Sequence, residues 1–258
     1  MTCKLEPGHL QIAKKAARAA GAIIKNRFGT PFEVSYKSSK DPVTEIDQAC
    51  EKQIKCILSC AYPNIAFWGE ESGSTDSTAS LTWVVDPLDG TKNFVHGYPF
   101  VAVSIALVSN SEPILGVVFD PLRDEMFWGQ KSCGAFLDCK PITVSHTSSL
   151  EDAMVVTNLN PWPAEQGPLI LKAGQQCQGL RRGGASALDL CQLAAGRLDA
   201  IWEWSLKPWD LAAATLIIQE AQGTVTRLDG SPFELLGGQI LATNTNLHGA
   251  FRDFLGLA

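Results

Sequence analysis

The stretch WVVDPLDGTKNF, residues 83–94, dominates the sequence because it places two carboxylates directly after an apolar strand. A run of Trp and Val residues is typical of a buried strand. The proline after Asp86 has no N–H with which to continue a sheet ladder. We therefore predict that the strand ends at Asp86, at the edge of a sheet.

The residues after this strand have the composition of a cation and phosphate site. Asp89 follows Asp86 by three residues, so both carboxylates and the carbonyls between them can face one pocket, as oxygen ligands do around divalent cations. Gly90 permits close approach to an anion, and Thr91 adds a hydroxyl. An ordinary turn is the alternative, since Asp, Pro and Gly are common turn residues.

Two further acidic segments favour the cation site. Residues 65–68 are predicted to form a strand that leads at once into Glu70 and Glu71. Asp210 stands in the first turn of a helix predicted to open at Pro208. Taken singly, the glutamates fit a solvated loop and Asp210 fits a favourable interaction with the helix dipole. Converging carboxylates repel one another, so together the three segments indicate bound cations.

These segments resemble the signature motifs of the inositol monophosphatase family, a group of lithium-sensitive, magnesium-dependent phosphomonoesterases. Residues 83–94 match the first signature and residues 209–223 the second, while residues 69–72 stand at the usual distance upstream. The resemblance spans most of the chain. It implies an α+β fold, the layered α-β-α-β-α sandwich of the inositol monophosphatase and fructose-1,6-bisphosphatase type, and a homodimer.

The resemblance also implies roles for individual residues. Two or three Mg²⁺ ions are expected, held by carboxylates and one backbone carbonyl. The implied metal ligands are Glu70, Asp86, Leu88, Asp89 and Asp210. The implied substrate contacts are Asp89, Gly90, Thr91, Ser186, Glu203 and Asp210. The residues implied to be catalytic are Asp47, Thr91 and Glu70.

Asp47 and Glu203 also have a structural explanation that requires no role in catalysis or binding. Thr44 and Asp47 have the spacing of a capping box at a helix start, which alone would account for both. Glu203 follows a strand predicted at residues 200–202, where an exposed acid needs no function. Only the resemblance favours a role near the substrate for these residues.

Composition restricts the classes of partner. With 258 residues and 45% hydrophobic content, the chain can bury a substantial core. A net charge of −6 without basic runs argues against nucleic acid or an anionic membrane as the main partner. The N-terminal residues lack the apolar core of a signal sequence, and no apolar stretch reaches the ~18 residues of a membrane span. We therefore expect a soluble, cytoplasmic protein.

The eight cysteines are scattered without a C-x-x-C pair, which predicts free thiols. Cys56 and Cys60 share a predicted helix face and could bind zinc with a third ligand, although core burial is the simpler explanation. Redox regulation through Cys133 and Cys139 is a further alternative.

The hydrophobic pattern predicts two parts, an N-terminal α+β part at 1–145 with most metal ligands and a C-terminal α/β part at 146–258 with Asp210 and the substrate contacts. A polar, mobile segment is predicted at 30–41. The other elements predicted for the first part are helices at 10–28 and 44–60 and an antiparallel meander of strands at 101–108, 114–119 and 126–128.

We therefore expect a Mg²⁺-dependent phosphomonoesterase that acts on inositol monophosphate or a similar small polyol or sugar phosphate. Oxygen ligands select a hard cation, and in the two-ion scheme one ion activates water while the other stabilises the leaving oxygen. The alternatives are histidinol phosphate or phosphoadenosine phosphate as substrate, and a dual-function protein that also binds transcription machinery. Residues 158–163 fit the family's substrate loop poorly, so the identity of the ester stays open.

Overall fold

The computed structural model describes residues 8–38, 41–76, 78–159 and 166–256. Two helices and a hairpin precede the main sheets: α1 is Gly8–Arg27, β1 is Val34–Ser38, β2 is Asp41–Thr44 and α2 is Glu45–Ala61. Both helices match the predicted ones. The segment at 30–41 is not simply polar and irregular, because β1 pairs antiparallel with β2.

An eight-stranded sheet follows. Its strands, with one short helix, are β3 Ala66–Gly69, β4 Gly73–Ser74, β5 Leu81–Asp89, α3 Thr91–Val95, β6 Ala102–Ser109, β7 Glu112–Asp120, β8 Glu125–Gln130, β9 Ala135–Leu137 and β10 Lys140–Ile142. They lie in the order β10-β9-β8-β7-β6-β5-β3-β4. The pairs from β5 to β10 are antiparallel, which confirms the predicted meander, whereas β3 and β5 are parallel.

The prediction that the strand ends at Asp86, at the edge of a sheet, was wrong. Strand β5 lies inside the sheet and continues to Asp89. Its ladder with β6 reaches Asp86 opposite Ser104, is interrupted, and resumes with Asp89 opposite Ala102. Three steps along β5 thus match two along β6, which is a bulge. The proline lies within it, where a strand tolerates a missing N–H.

The second sheet alternates with helices, as predicted for this part. In chain order the elements are β11 Met154–Thr157, α4 Gln166–Gln176, β12 Gly179–Arg181, α5 Ser186–Ala194, β13 Ala200–Trp204, α6 Pro208–Glu220, β14 Thr224–Thr226, β15 Gln239–Thr243 and α7 His248–Leu255. The five strands lie in the order β12-β11-β13-β15-β14. Strand β11 is parallel to both its neighbours, and the remaining pairs are antiparallel.

Alternating side chains of each sheet pack against different helix layers. In β5, Trp83 and Val85 belong to the core beneath α1 and α2, whereas Val84 faces α5 and α6. In β11, Val156 faces α5 and α6, whereas Val155 faces α4 and α7. The period of two in a strand thus builds five layers: α1 and α2, the large sheet, α5 and α6, the small sheet, and α4 and α7. The predicted layered α+β fold is confirmed.

Helix α6 is buried on all sides because it lies between the two sheets. Every residue from Leu211 to Ile218 is buried, as expected of a helix that is apolar all round. Gly116 of β7 lets the helix approach, since a methyl group there would lie 2.9 Å from the Cα of Ala213. The two sheets therefore share one core, and separate subdomains at 1–145 and 146–258 stay a prediction.

None of the described helices is both long enough and apolar enough to cross a bilayer. The seven described cysteines are free thiols. Cys133 and Cys139 stand beyond opposite ends of β9, and the described residues contain no cluster of thiols or histidines spaced for a metal ion. The zinc alternative therefore finds no support in this part of the chain.

Candidate active site

The parallel pairing of β3 and β5 brings two acidic segments side by side. Gly69, the last residue of β3, lies opposite Val85, so Glu70 and Asp86 are adjacent, although β5 continues through its bulge to Asp89. The N–H of Glu70 donates to the carbonyl of Val85 at 3.1 Å and ties the strand ends together. Glu70 follows the end of β3 as predicted, whereas Asp86 lies at the start of the bulge, and the parallel direction of the strands makes the two acids adjacent.

The bulge of β5 presents both side-chain and backbone oxygens. Asp86 Oδ1 accepts the N–H of Leu88 at 2.9 Å. The Leu88 side chain is buried in the core, while its carbonyl lies 3.0 Å from the Thr91 hydroxyl, whose single hydrogen has a shorter partner in Asp47 at 2.8 Å. Gly90 has a φ of 90°, which favours glycine, and a side chain there would lie 3.0 Å from a backbone carbonyl. This turn therefore depends on glycine for its shape.

Asp89 joins the turn to the second half of the protein. Its carboxylate accepts the N–H groups of Ser186, Ala187 and Leu188 at 3.1, 2.8 and 3.3 Å. These groups open α5, whose N-cap residue Ala185 has no side-chain oxygen to accept them. Hydrogen bonds and the helix dipole both favour a carboxylate at this position. Asp89 therefore caps a helix that lies almost one hundred residues further along the chain.

Asp210 approaches from the start of α6, where it accepts the N–H of Lys207 at 2.7 Å. Carboxylate oxygens of Asp86, Asp89 and Asp210 lie within 4.8 Å of one another. We call these three residues the acidic trio. Glu70 is not part of the trio, although its charge helps to raise the pKa of all three. The helix-start role of Asp210 and its place in the site are thus compatible.

Burial is the main cause of the raised pKa values in the trio, and repulsion between neighbouring carboxylates adds to it. The pKa of Asp89 is raised to about 7 and that of Asp210 to about 8, and the pKa of Asp86 lies well above its ordinary value. Ionised carboxylates this close are unfavourable without a counter-ion. Their oxygens, together with the Leu88 carbonyl, fit a hard divalent cation.

Asp47 reaches the same turn from the start of α2. Its Oδ1 accepts the Thr91 hydroxyl at 2.8 Å, and its Oδ2 accepts the N–H and the hydroxyl of Thr44 at 2.8 and 2.5 Å. The predicted capping box is present, and the same carboxylate serves both the cap and the site. Burial raises the pKa of Asp47, although these hydrogen bonds oppose the shift.

Glu203 is buried, so the explanation as an exposed strand-end acid is wrong. Strand β13 continues to Trp204, which places Glu203 inside the sheet opposite Ile240, with only 2% of its surface exposed. Glu203 Oε2 accepts the Ser186 hydroxyl at 2.8 Å. Burial first, and the charge of Asp189 second, raise the pKa of Glu203 to about 8.

Two adjoining cavities meet at these groups. The smaller, of about 200 Å³, is lined by the trio, Leu88, Gly90 and Thr91. The larger, of about 470 Å³, is lined by Glu203, Asn158 and Trp209 and by the basic residues Lys92, Arg182 and Lys207. Glu70, Lys92, Gly184, Ser186 and Asp210 border both. A compact acidic end beside a roomier polar end suits a ligand with a small anionic head, bound through cations, and a larger polar body.

Comparison with known proteins agrees with this site. The sequence profile of the inositol monophosphatase family matches residues 8–254. The chain belongs to the inositol monophosphatase family. Inositol monophosphatase 3 of Solanum lycopersicum is 41% identical over 255 residues, covering 94% of this chain and 94% of that protein. Nus factor SuhB of Pseudomonas aeruginosa is 42% identical over 248 residues, covering 92% and 91%.

The fold of a solved family member is also close. The crystal structure of extragenic suppressor protein suhB from Bartonella henselae matches with a TM-score of 0.92 at 35% identity, covering 96% of this chain and 98% of that one. Membership of the inositol monophosphatase family makes the protein a phosphatase-type hydrolase, and the family is metal-dependent, in keeping with the acidic trio.

The site residues predicted for this family member lie together. Each borders one of the two cavities, except Asp47, which contacts the site through Thr91. Their individual roles stay predictions. Of the segment 158–163, Asn158 lines the larger cavity, and residues 160–163 lie outside the described residues.

Sequence reasoning missed two polar residues that support the loop before α5. Asn93 Nδ2 donates to the carbonyls of Phe100 and Gly183 at 2.7 and 3.0 Å, bridging the two halves. Asp189 is buried, and its carboxylate packs against Gly183 so closely that a methyl group there would clash with Oδ1. The signal available for Asp189 was that it is an acid within an otherwise apolar helix, and an acid at such a position has many explanations.

Proposed function

We propose that this phosphatase is a Mg²⁺-dependent phosphomonoesterase that hydrolyses inositol monophosphate, or a similar small polyol or sugar phosphate, to the alcohol and inorganic phosphate. The observation that carries the proposal is the acidic trio, with its oxygens within 4.8 Å, at the junction of the two cavities. The name of the tomato relative, inositol monophosphatase 3, supports the choice of substrate.

A phosphate-release screen tests this proposal. The purified protein is assayed with Mg²⁺ against inositol phosphates, sugar phosphates, histidinol phosphate and phosphoadenosine phosphate. We expect the highest kcat/KM with an inositol monophosphate or a close polyol ester. Turnover confined to histidinol phosphate or phosphoadenosine phosphate would replace this substrate assignment with the corresponding alternative.

The metal ions, two or three in number, are held by the trio, Glu70 and the Leu88 carbonyl. The raised pKa values of the trio support this, because a bound cation compensates the repulsion that raises them. Oxygen donors without thiolate or imidazole favour Mg²⁺. When bound, the ions supply activation of water and neutralisation of charge on the phosphoryl and leaving oxygens.

Thr91 and Asp47 act on the attacking water. Thr91 donates its hydroxyl hydrogen to Asp47 at 2.8 Å, so its oxygen can accept a hydrogen bond from water. As the water oxygen bonds to phosphorus and the ester P–O bond breaks, the water proton moves through Thr91 to Asp47. The raised pKa of Asp47 suits it to receive that proton. The N–H groups of Gly90 and Thr91 donate to the phosphoryl oxygens, and solvent protonates the leaving alcohol.

Glu203 selects polyol substrates by accepting hydrogen bonds from their hydroxyls. At a pH above the Glu203 pKa of about 8, where its carboxylate is ionised, we expect Glu203→Gln to lower kcat/KM for inositol monophosphate by about 10–100-fold, as for the loss of a hydrogen bond to a charged group. The loss for phenyl phosphate, which lacks those hydroxyls, should be much smaller. Steady-state phosphate release with both esters measures this difference.

The matched control for that substitution is Glu220→Gln. The Glu220 carboxylate accepts the N–H groups of Ser132, Cys133 and Gly134 far from the cavities, so its variant should treat both esters alike. Equal losses on the two substrates in Glu203→Gln would show that Glu203 does not select.

Lithium should inhibit this enzyme at concentrations where sodium has little effect. Li⁺ resembles Mg²⁺ in size and can occupy a vacated carboxylate site while phosphate is still bound, but it lacks the divalent charge. Product release then stalls, so inhibition should persist at saturating substrate. Phosphate release with LiCl and matched NaCl tests this. Equal responses to both salts, or full rescue by excess substrate, would argue against it.

The stability of the metal-free protein should fall as pH rises. The folded pKa values of the trio are raised above those of the unfolded chain, so their stabilising contribution is complete at low pH and is lost as pH rises through about 7 and 8. Mg²⁺ binds the ionised carboxylates, so it should raise Tm more at alkaline pH than at acid pH. Thermal melts with EDTA or Mg²⁺ measure both effects. An equal Mg²⁺ effect at all pH values would contradict this account.

We also infer a cytoplasmic homodimer. The free thiols of the described cysteines are in keeping with a reducing compartment, and the dimer follows from the family resemblance alone. Light scattering coupled to size-exclusion chromatography tests the oligomeric state, and a monomeric mass would overturn it.

A second function, binding to transcription machinery, is favoured by one observation. The relative at 42% identity is named Nus factor SuhB. Size-exclusion chromatography of the protein mixed with purified RNA polymerase tests this function separately from catalysis. Co-elution of both the wild type and Asp86→Asn is expected if the protein has this role, and separate elution of both would remove it.

A further inference from the structure

Helix α2 contacts both acidic strand ends. Asp47 and Glu51 are one helical turn apart, so their side chains lie on the same face of α2. Asp47 accepts the Thr91 hydroxyl at 2.8 Å, next to the end of β5. Glu51 Oε2 accepts the N–H of Glu71 at 2.8 Å, just beyond the end of β3. One helix face therefore holds the segments that follow two different strands.

Glu51 is buried, and burial is unfavourable for a carboxylate. Only 4% of its surface is exposed. It packs against the backbone of Gly69 so closely that a methyl group there would lie 2.6 Å from Glu51 Cδ. A buried carboxylate destabilises the fold unless hydrogen bonds compensate. The Glu51 carboxylate accepts its hydrogen bond from the backbone N–H of Glu71, in the acidic segment.

The segment that Glu51 contacts is the one that carries Glu70. Its main chain is held on two sides, because the N–H of Glu70 donates to Val85 and the N–H of Glu71 donates to Glu51. Glu70 borders both cavities but lies outside the trio. The main chain on both sides of Glu70 is thus fixed by hydrogen bonds, while its carboxylate lies beside the trio.

We propose that Glu51 is a positioning residue that holds the 69–71 segment in place, so that Glu70 can complete the cation site with Asp86, Asp89 and Asp210. Glu51 borders neither cavity and so acts only through the backbone of its neighbour. The inference rests on the metal site proposed above. It extends that site to a residue outside the cavities whose contribution is to metal affinity.

Isothermal titration with MgCl₂, without substrate, tests the proposal. Glu51→Met keeps the side-chain length but removes the acceptor, and we expect it to weaken Mg²⁺ binding by about tenfold or more, as loss of a group that orients a ligand does. Glu51→Gln retains an acceptor oxygen and should restore binding close to the wild-type affinity. Phosphate release should show a matching rise in the Mg²⁺ concentration for half-maximal rate in Glu51→Met, with kcat largely recovered at saturating Mg²⁺.

Two further variants separate positioning from general stability. Asp199→Asn alters another buried acid, which accepts the N–H of Met154 at 2.7 Å in the small sheet, and it should lower Tm without changing Mg²⁺ affinity. Gly69→Ala places a methyl group against the Glu51 carboxylate and should therefore weaken Mg²⁺ binding. This variant keeps the proposal testable even if Glu51→Met does not fold.

Three results would overturn the inference. They are a folded Glu51→Met with wild-type Mg²⁺ affinity, equal losses in Glu51→Met and Glu51→Gln, and a Gly69→Ala variant that binds Mg²⁺ normally. Failure of the proposed function looks different: the wild type itself would then bind no Mg²⁺ and release no phosphate.

Discussion

Asp86→Asn should lower kcat/KM for phosphate release on the order of a thousandfold, because several kcal/mol of charge stabilisation by the metal site depend on this carboxylate. The same substitution should not destabilise the metal-free fold. Asparagine Oδ1 can still accept the Leu88 N–H, and the substitution removes a buried carboxyl group whose ionisation is opposed by burial and by three neighbouring acids, which raise its pKa. We therefore expect the metal-free Tm to hold or rise while activity is lost.

Leu88→Ala is the matched control for that experiment. It leaves the Leu88 carbonyl in place but removes a side chain that is 1% exposed, so it should lower the free energy of unfolding by about 2–5 kcal/mol. At a temperature where the variant is folded, its effect on kcat should be far milder than that of Asp86→Asn. Phosphate release and thermal melts on both variants separate chemistry from packing. Substantial Mg²⁺-dependent turnover by folded Asp86→Asn would refute the metal assignment.

Asp47→Asn and Thr91→Val should each lower kcat by about 10²–10⁴-fold, the range for loss of general acid–base catalysis. The two side chains share one hydrogen bond of 2.8 Å and act on the same proton. The double variant should therefore be little worse than either single variant, as found for groups that work as a unit. Steady-state kcat for the four proteins of this cycle, at saturating Mg²⁺ and substrate, measures the coupling.

The cap function of Asp47 has to be separated from this result. Thr44→Val removes the hydroxyl that bonds Asp47 Oδ2 but leaves the Asp47–Thr91 hydrogen bond, so it should reduce stability by about 1 kcal/mol with kcat nearly intact. Multiplicative losses in the Asp47 and Thr91 double variant would mean that the two residues act independently and would remove the proposed proton path.

Local patterns were enough for most of the elements, while the list of site residues came from the family resemblance and stays a prediction. The apolar runs of β6 and β7, the Pro and Asp at the start of α6, and the Thr44–Asp47 capping box all depend on neighbours within a few residues. Such signals are legible because short-range backbone geometry produces them. The strand end at Asp86 was misjudged for the same reason: a proline normally stops a ladder, and only the partner strand β6 reveals the bulge.

Long-range contacts set the features that local patterns do not contain. Asp89 caps α5 across 97 to 99 positions of sequence, and Asn93 reaches Gly183 across 90. Glu203 looked like an exposed strand-end acid until its pairing with β15 buried it. In each case the partner belongs to another element, so no spacing rule within one segment can indicate it.

The sequence by itself determined the chemistry of this protein: which oxygens are available, the glycine that shapes their turn, and the apolar periods that form two sheets and their helices. Only the tertiary structure decided that β3 runs parallel to β5, that α6 lies between the two sheets, and that Glu51 contacts the Glu70 segment. The physical reason is that the ligands of one cation must converge within a few ångströms of one another, whichever elements carry them. The carboxylates of the trio come from chain segments more than one hundred residues apart.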